Sequence, residues 1–302
     1  MRRLLKKAFL ALQKIISAVL YPFCILWNDL GSQRIPVLMY HKVCDLPAES
    51  TEVRYDNVLP RRFAEQMEFL YKNGYRVLHL EEYLKWNRGQ TQLPRRSVLI
   101  TLDDGYKSVY TNALPVLKKY GFPAAVFLTT DYIGGSRVFD WLKWDKGALA
   151  DRERKAENWL PLSWDEVREM IQEKISIGSH TRSHPHLAKL KADQIKNEVR
   201  GSRLAIENEI KKRVGFFSYP VGIARYGAFN SRTKEELRAN GYDMAFISEI
   251  GRNRRGQDPY VQKRIAISES DMLFDLKCKL VGAYDWAGFA QRIFQRMFRE
   301  VD

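Results

Sequence analysis

Two adjacent carboxylates, Asp103 and Asp104, close the apolar run SVLITL (97–102). Side by side at a strand end they repel each other unless a cation or a proton intervenes. Consecutive side chains also point in different directions, so one can hold a metal while the other accepts a proton. A second cluster follows the run ISIGS (175–179): His180, and four residues on, His184. That spacing can set both imidazoles on one side of a helical turn. Two histidines with one carboxylate suit zinc with an open water position, and also iron, cobalt or nickel. A third histidine, His41, ends the run VLMY. Blander readings compete with each of these. An aspartate after a strand can cap the next helix, and H-x-x-x-H on its own is more often a surface pair. A cap needs one aspartate, so it leaves half the doublet unexplained. His79 is expected to be structural and His186 a non-ligand.

Short apolar runs must position these groups. From Arg34 onward they alternate with amphipathic stretches. Strands are expected at 35–40, 75–80, 97–102, 124–129, 175–179, 214–218, 242–247 and 263–267. Helices are expected at 61–74, 106–121, 163–174, 192–212 and 232–241. Gly74, Gly121 and Gly241 follow helical runs, where a left-handed terminating residue belongs. Ser163 and Glu166 have the spacing of a capping box. Residues 131–162 read as a long loop, of the kind that shapes a substrate groove. Strand–helix alternation implies an α/β fold with a largely parallel sheet or barrel. Active sites of such barrels gather at the strand carboxyl ends, and three of the five histidines lie at or just past such ends.

The chain of 302 residues is long enough for one large domain and carries a net charge of +14, which favours an anionic partner. Cys24, Cys44 and Cys278 form no C-x-x-C pair, so they are expected as free thiols. Residues 1–33 stand apart. On a helical wheel Arg2, Arg3, Lys6, Lys7, Gln13, Lys14 and Ser17 share one face, and Leu4, Leu5, Phe9, Leu12, Ile15, Ile16 and Val19 cover the other. This is the pattern of a helix lying in a membrane interface, with Pro22 expected to interrupt it. A helix docked on the protein's own core is the alternative. Residues 287–302 form a second basic amphipathic stretch. No nucleic-acid recognition motif is present, and none is expected to act.

TLDDG (101–105) resembles the T-F-D-D-G motif of NodB-like polysaccharide deacetylases, carbohydrate esterase family 4. SHTRSHPHL (179–187) resembles their H-x-x-x-H motif, and FFSYPVG (216–222) looks like a form of their third motif. IPVLMYHKV (35–43) is similar to the opening strand of the subgroup that includes biofilm poly-N-acetylglucosamine deacetylases. The resemblance implies a distorted (β/α) barrel over residues 34–286 and a divalent metal, most often Zn2+, with Co2+, Ni2+ or Fe2+ as alternatives. It implies that Asp104, His180 and His184 hold the metal, that Asp103 is the general base and that His41 is the general acid. By the same resemblance the Val221 N–H faces the oxyanion. Ser218 stands where the family's third motif carries an arginine, and Arg264 is expected to supply that charge. Tyr219, Trp141 and Trp144 are expected at the substrate, with core packing an equal reading for each tryptophan. The expected activity is removal of N-acetyl groups from a polysaccharide or lipid-linked glycan, at a bacterial inner membrane reached through the N-terminal helix. A non-catalytic glycan-binding or scaffold protein on the same fold is the rival reading.

Overall fold

The computed structural model describes residues 2–45, 56–142 and 156–288. Its centre is an eight-stranded sheet: β1 (Val37–Tyr40), β2 (Arg76–Val77), β3 (Ser97–Leu102), β4 (Ala124–Leu128), β5 (Ile175–Ser179), β6 (Phe216–Ser218), β7 (Met244–Phe246) and β8 (Ile265–Ala266). The spatial order is β7-β6-β5-β4-β3-β1-β8, with β2 paired to β3, and every pairing in it is parallel. Residues leading into β8 return to β7: Phe246 bridges Gln262 in parallel fashion. The sheet therefore curls into the expected distorted (β/α) barrel.

All six residues of β3 are buried, as a strand covered on both faces requires. Strand periodicity sorts these side chains into two layers. Leu38, Tyr40, Val98, Ile100, Leu102, Val126, Leu128, Ile175 and Ile177 join the larger core under the helices. Val37, Leu99, Ala125, Phe127, Phe216, Met244 and Phe246 form a separate inner cluster. The inner set continues at two-residue steps to His41, Asp103, His180 and Ser218, so one parity rule brings four distant residues to the inner rim of the barrel. Space inside is tight. A Cβ on Gly178 would lie 2.4 Å from the Phe127 ring and 3.0 Å from the Phe216 carbonyl oxygen.

The outer helices are α1 (Arg2–Leu30), α2 (Pro60–Lys72), α3 (Leu80–Asn87), α4 (Leu114–Tyr120), α5 (Trp164–Gln172), α6 (Ala192–Ile210), α7 (Ser231–Ala239) and α8 (Leu273–Val281). Gly74, Gly121 and Gly241 hold φ of 64°, 66° and 71°, the left-handed endings expected of them. The α5 capping box is present, with the Ser163 N–H donating to Glu166 and the Glu166 N–H donating to Ser163 Oγ. The run 106–121 is not one continuous α-helix. Val109–Ala113 widen into a π-turn before α4 begins at Leu114; Pro115 lacks an N–H, and the wider turn removes the need for one. All three cysteines are free thiols.

Helix α1 departs from expectation in two ways. It runs through Pro22 without a break. Pro22 sits on the open side of the helix, where the lost backbone bond faces solvent rather than packed protein. The helix also docks by its polar side. Gln13 and Ser17 are buried, Lys14 Nζ lies 2.9 Å from Asp275 Oδ2, and Trp286 Nε1 donates to Ser17 Oγ. Leu20, Tyr21 and Cys24 pack on Cys278, Ala283 and Tyr284. Of the C-terminal stretch, residues 289–302 lie outside the described residues.

Candidate active site

Strand β3 delivers Asp103, and β1 delivers His41 beside it, because Tyr40 pairs with Leu102 in the parallel register. Asp103 is buried and gripped by a fully buried arginine from β8. Arg264 Nη1 donates to Asp103 Oδ1 and Nη2 to Oδ2, each at 2.7 Å. Nη2 also donates to Ser218 Oγ at 2.8 Å, and Ser218 donates to Asp103 Oδ2 at 3.1 Å. Arg264 Nε donates to the Ile247 carbonyl. The arginine expected to replace the missing one thus reaches the aspartate, and the serine in the old place bridges the two. Nothing in the sequence spacing singled out Ser218 as a bridge; strand parity could have found it.

Asp104 faces the other way, from a backbone at φ 73°, and its Oδ1 is buried with no hydrogen-bond partner. That oxygen lies 3.4 Å from His180 Nε2 and 3.7 Å from His184 Nε2. Ligand atoms of the three residues all fall within 4.8 Å of one another. The His180 Nδ1 is 2.8 Å from the Ser218 carbonyl oxygen, to which it donates when the Nε2 lone pair is left free. A buried carboxylate oxygen without a donor is costly; facing two imidazole nitrogens, it is what a cation-binding trio looks like. These residues fit a divalent metal with N and O ligands.

His180 and His184 do not share a helical turn. The segment between them is irregular, with Thr181 at φ 68° and His184 at φ 64°. Thr181 Oγ1 accepts the His184 N–H and fixes the bend. Among the described residues six other than glycine have positive φ, and four of them, Asp104, Thr181, His184 and Val221, belong to this rim. Such backbone costs roughly 1–3 kcal/mol per residue and concentrates at functional sites. Val221 and Thr181 are the most costly types, since both are β-branched. Among the described residues the Val221 N–H meets no backbone acceptor.

Charges set the protonation states. Burial pushes the Asp103 carboxyl up, but Arg264, His180 and His41 outweigh it and hold the group below its usual value. Burial also opposes ionisation of Asp104, and the closeness of His180, His41 and His184 holds it well below the carboxylate range. Burial drives His184 down to about 4, with Asp104 opposing and His180 and His41 assisting. Burial pushes His180 down as well, yet Asp103, Asp104 and the Ser218 carbonyl more than offset this and raise it. At neutral pH the site therefore offers two carboxylates and a neutral His184, with a His180 that holds its proton more tightly than a free imidazole.

The aromatic expectations fare differently. Tyr219 is fully buried and stacked on Phe229 at 4.6 Å, so its ring belongs to the core and is no sugar platform. Trp141 lies against the His184 ring at 4.3 Å, flanked by Phe139 and Tyr132, and its Nε1 donates to Tyr106. It braces the His184 imidazole, and that face of the indole is closed to a sugar. Trp144 lies outside the described residues. His79 caps α3, and His186 Nδ1 contacts the Tyr226 carbonyl outside the trio.

The family model for polysaccharide deacetylases matches residues 90–245, which contain the doublet, both histidines and the third motif. YxkH of Bacillus subtilis, which carries the same family name, is 30% identical over 235 residues, covering 78% of this chain and 72% of that one. The poly-β-1,6-N-acetyl-D-glucosamine N-deacetylase of Staphylococcus epidermidis is 26% identical over 267 residues, 83% of each chain. The chain spans 34% of the length of the Escherichia coli enzyme of that name. Among solved structures, the deacetylase PplD of Streptococcus pyogenes in complex with acetate has the same fold, with a TM-score of 0.68 at 22% identity over 83% of this chain and 99% of that one. Motifs, barrel and relatives agree, and the chain belongs to the polysaccharide deacetylase family.

Proposed function

We propose that the chain is a metal-dependent hydrolase that removes acetyl groups from the nitrogen of N-acetylated sugars in a polysaccharide or lipid-linked glycan, releasing acetate. The observation that carries this reading is the unpartnered Asp104 Oδ1 facing two imidazole nitrogens, with an ionised Asp103 alongside. Asp104, His180 and His184 would hold the metal. When bound, it would supply Lewis acidity to the acetyl carbonyl and to the attacking water.

The chain's own residues do the rest. Asp103 takes the proton of the attacking water; Arg264 keeps it ionised and aimed, at the expense of intrinsic basicity. The Val221 N–H, without a backbone acceptor among the described residues, stabilises the oxyanion. His41, on the strand beside Asp103, delivers a proton to the departing sugar nitrogen so that a neutral amine leaves. The charge of His41 acts on Asp103, Asp104 and His184, which supports its assignment to the same reacting centre.

A β-1,6-linked N-acetylglucosamine oligomer is the first substrate to try, because the Staphylococcus epidermidis relative is named for that polymer. The reading also includes a membrane as the place where the glycan is met. The test is acetate release from a panel of soluble and lipid-linked N-acetyl glycans, with and without chelator. Release from at least one, abolished by chelator, supports the proposal; no release from any metal-loaded mixture contradicts it.

A further inference from the structure

Helix α1 is amphipathic in the wrong sense for a helix packed on a core. Its polar residues Gln13, Lys14 and Ser17 face the domain together with Leu20, Tyr21 and Cys24, and the rest of its described apolar side faces out. Leu12, Ile15, Val19, Phe23, Leu26 and Trp27 are between 51% and 75% exposed. They recur at steps of three and four, which makes one continuous ridge. The ridge does not end with the helix: Met272 and Phe274 at the start of α8 are also exposed, and Phe274 meets Tyr21 edge to face at 5.2 Å. An apolar surface of this extent on a water-soluble face is a contact surface.

Charge identifies what it contacts. The first 27 residues contain Arg2, Arg3, Lys6, Lys7 and Lys14 and no acidic residue. Of these, Lys14 is consumed by Asp275. Arg62 borders the patch, donating to the Asp271 carbonyl and to Met272 Sδ. An apolar ridge ending in tryptophan, on a helix whose first fourteen residues carry five cations and no acid, with Arg62 beside Met272, matches the apolar interior and anionic headgroups of a bilayer. Among the described residues no helix is long and apolar enough to cross a membrane, so the fitting arrangement is contact in the plane of the surface.

We propose that α1 is a docked platform that seats the catalytic domain on an anionic lipid bilayer. Polar contacts to Asp275, Ser270 and Trp286 lock the helix to the domain, so the domain is held in a fixed attitude rather than tethered. Ser270 lies in the segment leaving the carboxyl end of β8, the end of the sheet at which the acidic and imidazole groups gather. The platform stands on surface chemistry alone and does not depend on the deacetylase reading.

The test is co-sedimentation of the full chain with vesicles of phosphatidylcholine alone and of phosphatidylcholine with 30 mol% phosphatidylglycerol (about one charge in three headgroups, enough for a strongly negative surface). Binding at least tenfold tighter to the anionic vesicles, weakened by salt, is expected. The triple variant Ile15→Glu, Val19→Glu, Phe23→Glu should lose that binding at least tenfold while keeping its melting midpoint and its acetate release from soluble oligomers, because none of the three side chains is in the core. Retained vesicle binding by the triple variant overturns the proposal, as does a wild-type chain that stays in the supernatant with both vesicles. A lipid-free dimer in sedimentation velocity that the triple variant dissolves also overturns it, in favour of a second copy on the ridge.

Discussion

Arg264 and Asp103 form a fully buried bidentate pair, closed by two parallel N–H···O bonds of 2.7 Å between residues 161 positions apart. Removing one partner leaves the other as an uncompensated buried charge, which costs about 3–5 kcal/mol. Arg264→Met should therefore lower the unfolding free energy by about that much in urea denaturation. Arg264→Lys should not rescue activity, since a single ammonium cannot fill both oxygens and Ser218 at once.

Asp103 and Asp104 are neighbours with separable tasks. Asp103→Asn should lower kcat by about 10²–10⁴, the range for loss of a general base, with metal content unchanged by elemental analysis. His41→Ala should do the same at the proton-donating step. His180→Ala should lower metal affinity as well as turnover. Metal lost from the Asp103 or His41 variant would show those roles to be misassigned.

His180 and His184 are shifted in opposite directions. Because the His180 pKa is raised above 6.5, proton and metal compete for it beyond the usual histidine range, so metal affinity should rise with pH through and above that value. Calorimetric titration with zinc at a series of pH values reads this directly.

His184 should be visible in the stability of the metal-free protein. Its folded value of about 4 lies below the ordinary 6.5. Between those values the unfolded chain binds a proton that the folded chain refuses, so its contribution falls as pH drops through this window, by up to about 1.4 kcal/mol per pH unit. His180, raised instead, works against this: its contribution is complete below 6.5 and fades as pH climbs through its folded value. Comparing urea midpoints of wild type and His184→Gln from pH 6.5 to 4 isolates the first effect; the variant should show the shallower decline on acidification.

Gly178 leaves room for Phe127 inside the barrel, and Gly178→Ala should cost about 1–3 kcal/mol through overpacking. A lowered melting midpoint with metal affinity preserved is the expected pattern.

The barrel was readable wherever burial leaves a simple imprint. Strands 97–102 and 175–179 appear at the expected bounds, because strands covered on both faces read as unbroken apolar runs. Helix α3 was not readable: Leu80–Asn87 is eight residues long, and its apolar Leu80 continues what looks like a strand from 75 to 80. The trio Asp104, His180 and His184 was marked by residue type at strand ends, but its local geometry was not. A bend with two left-handed residues, rather than a helical turn, joins the histidines. Tyr219 and Trp141 invite a reading as sugar contacts, since neither motif position nor residue type says which rings will cover them. Phe229 and His184 do so, each brought there by the fold. The polarity of α1 was evident from a wheel, whereas which side meets the domain depends on Asp275 and Trp286, some 260 residues away.

The most direct test of the account joins metal to chemistry in one titration. Chelator-stripped enzyme is mixed with an N-acetylglucosamine oligomer and zinc is added in sub-stoichiometric steps while acetate is followed. The account predicts no release at zero metal, a linear rise that breaks at one equivalent, and no rise in the His180→Ala variant over the same range. Acetate release by the stripped enzyme, or equal release by wild type and His180→Ala, would contradict it.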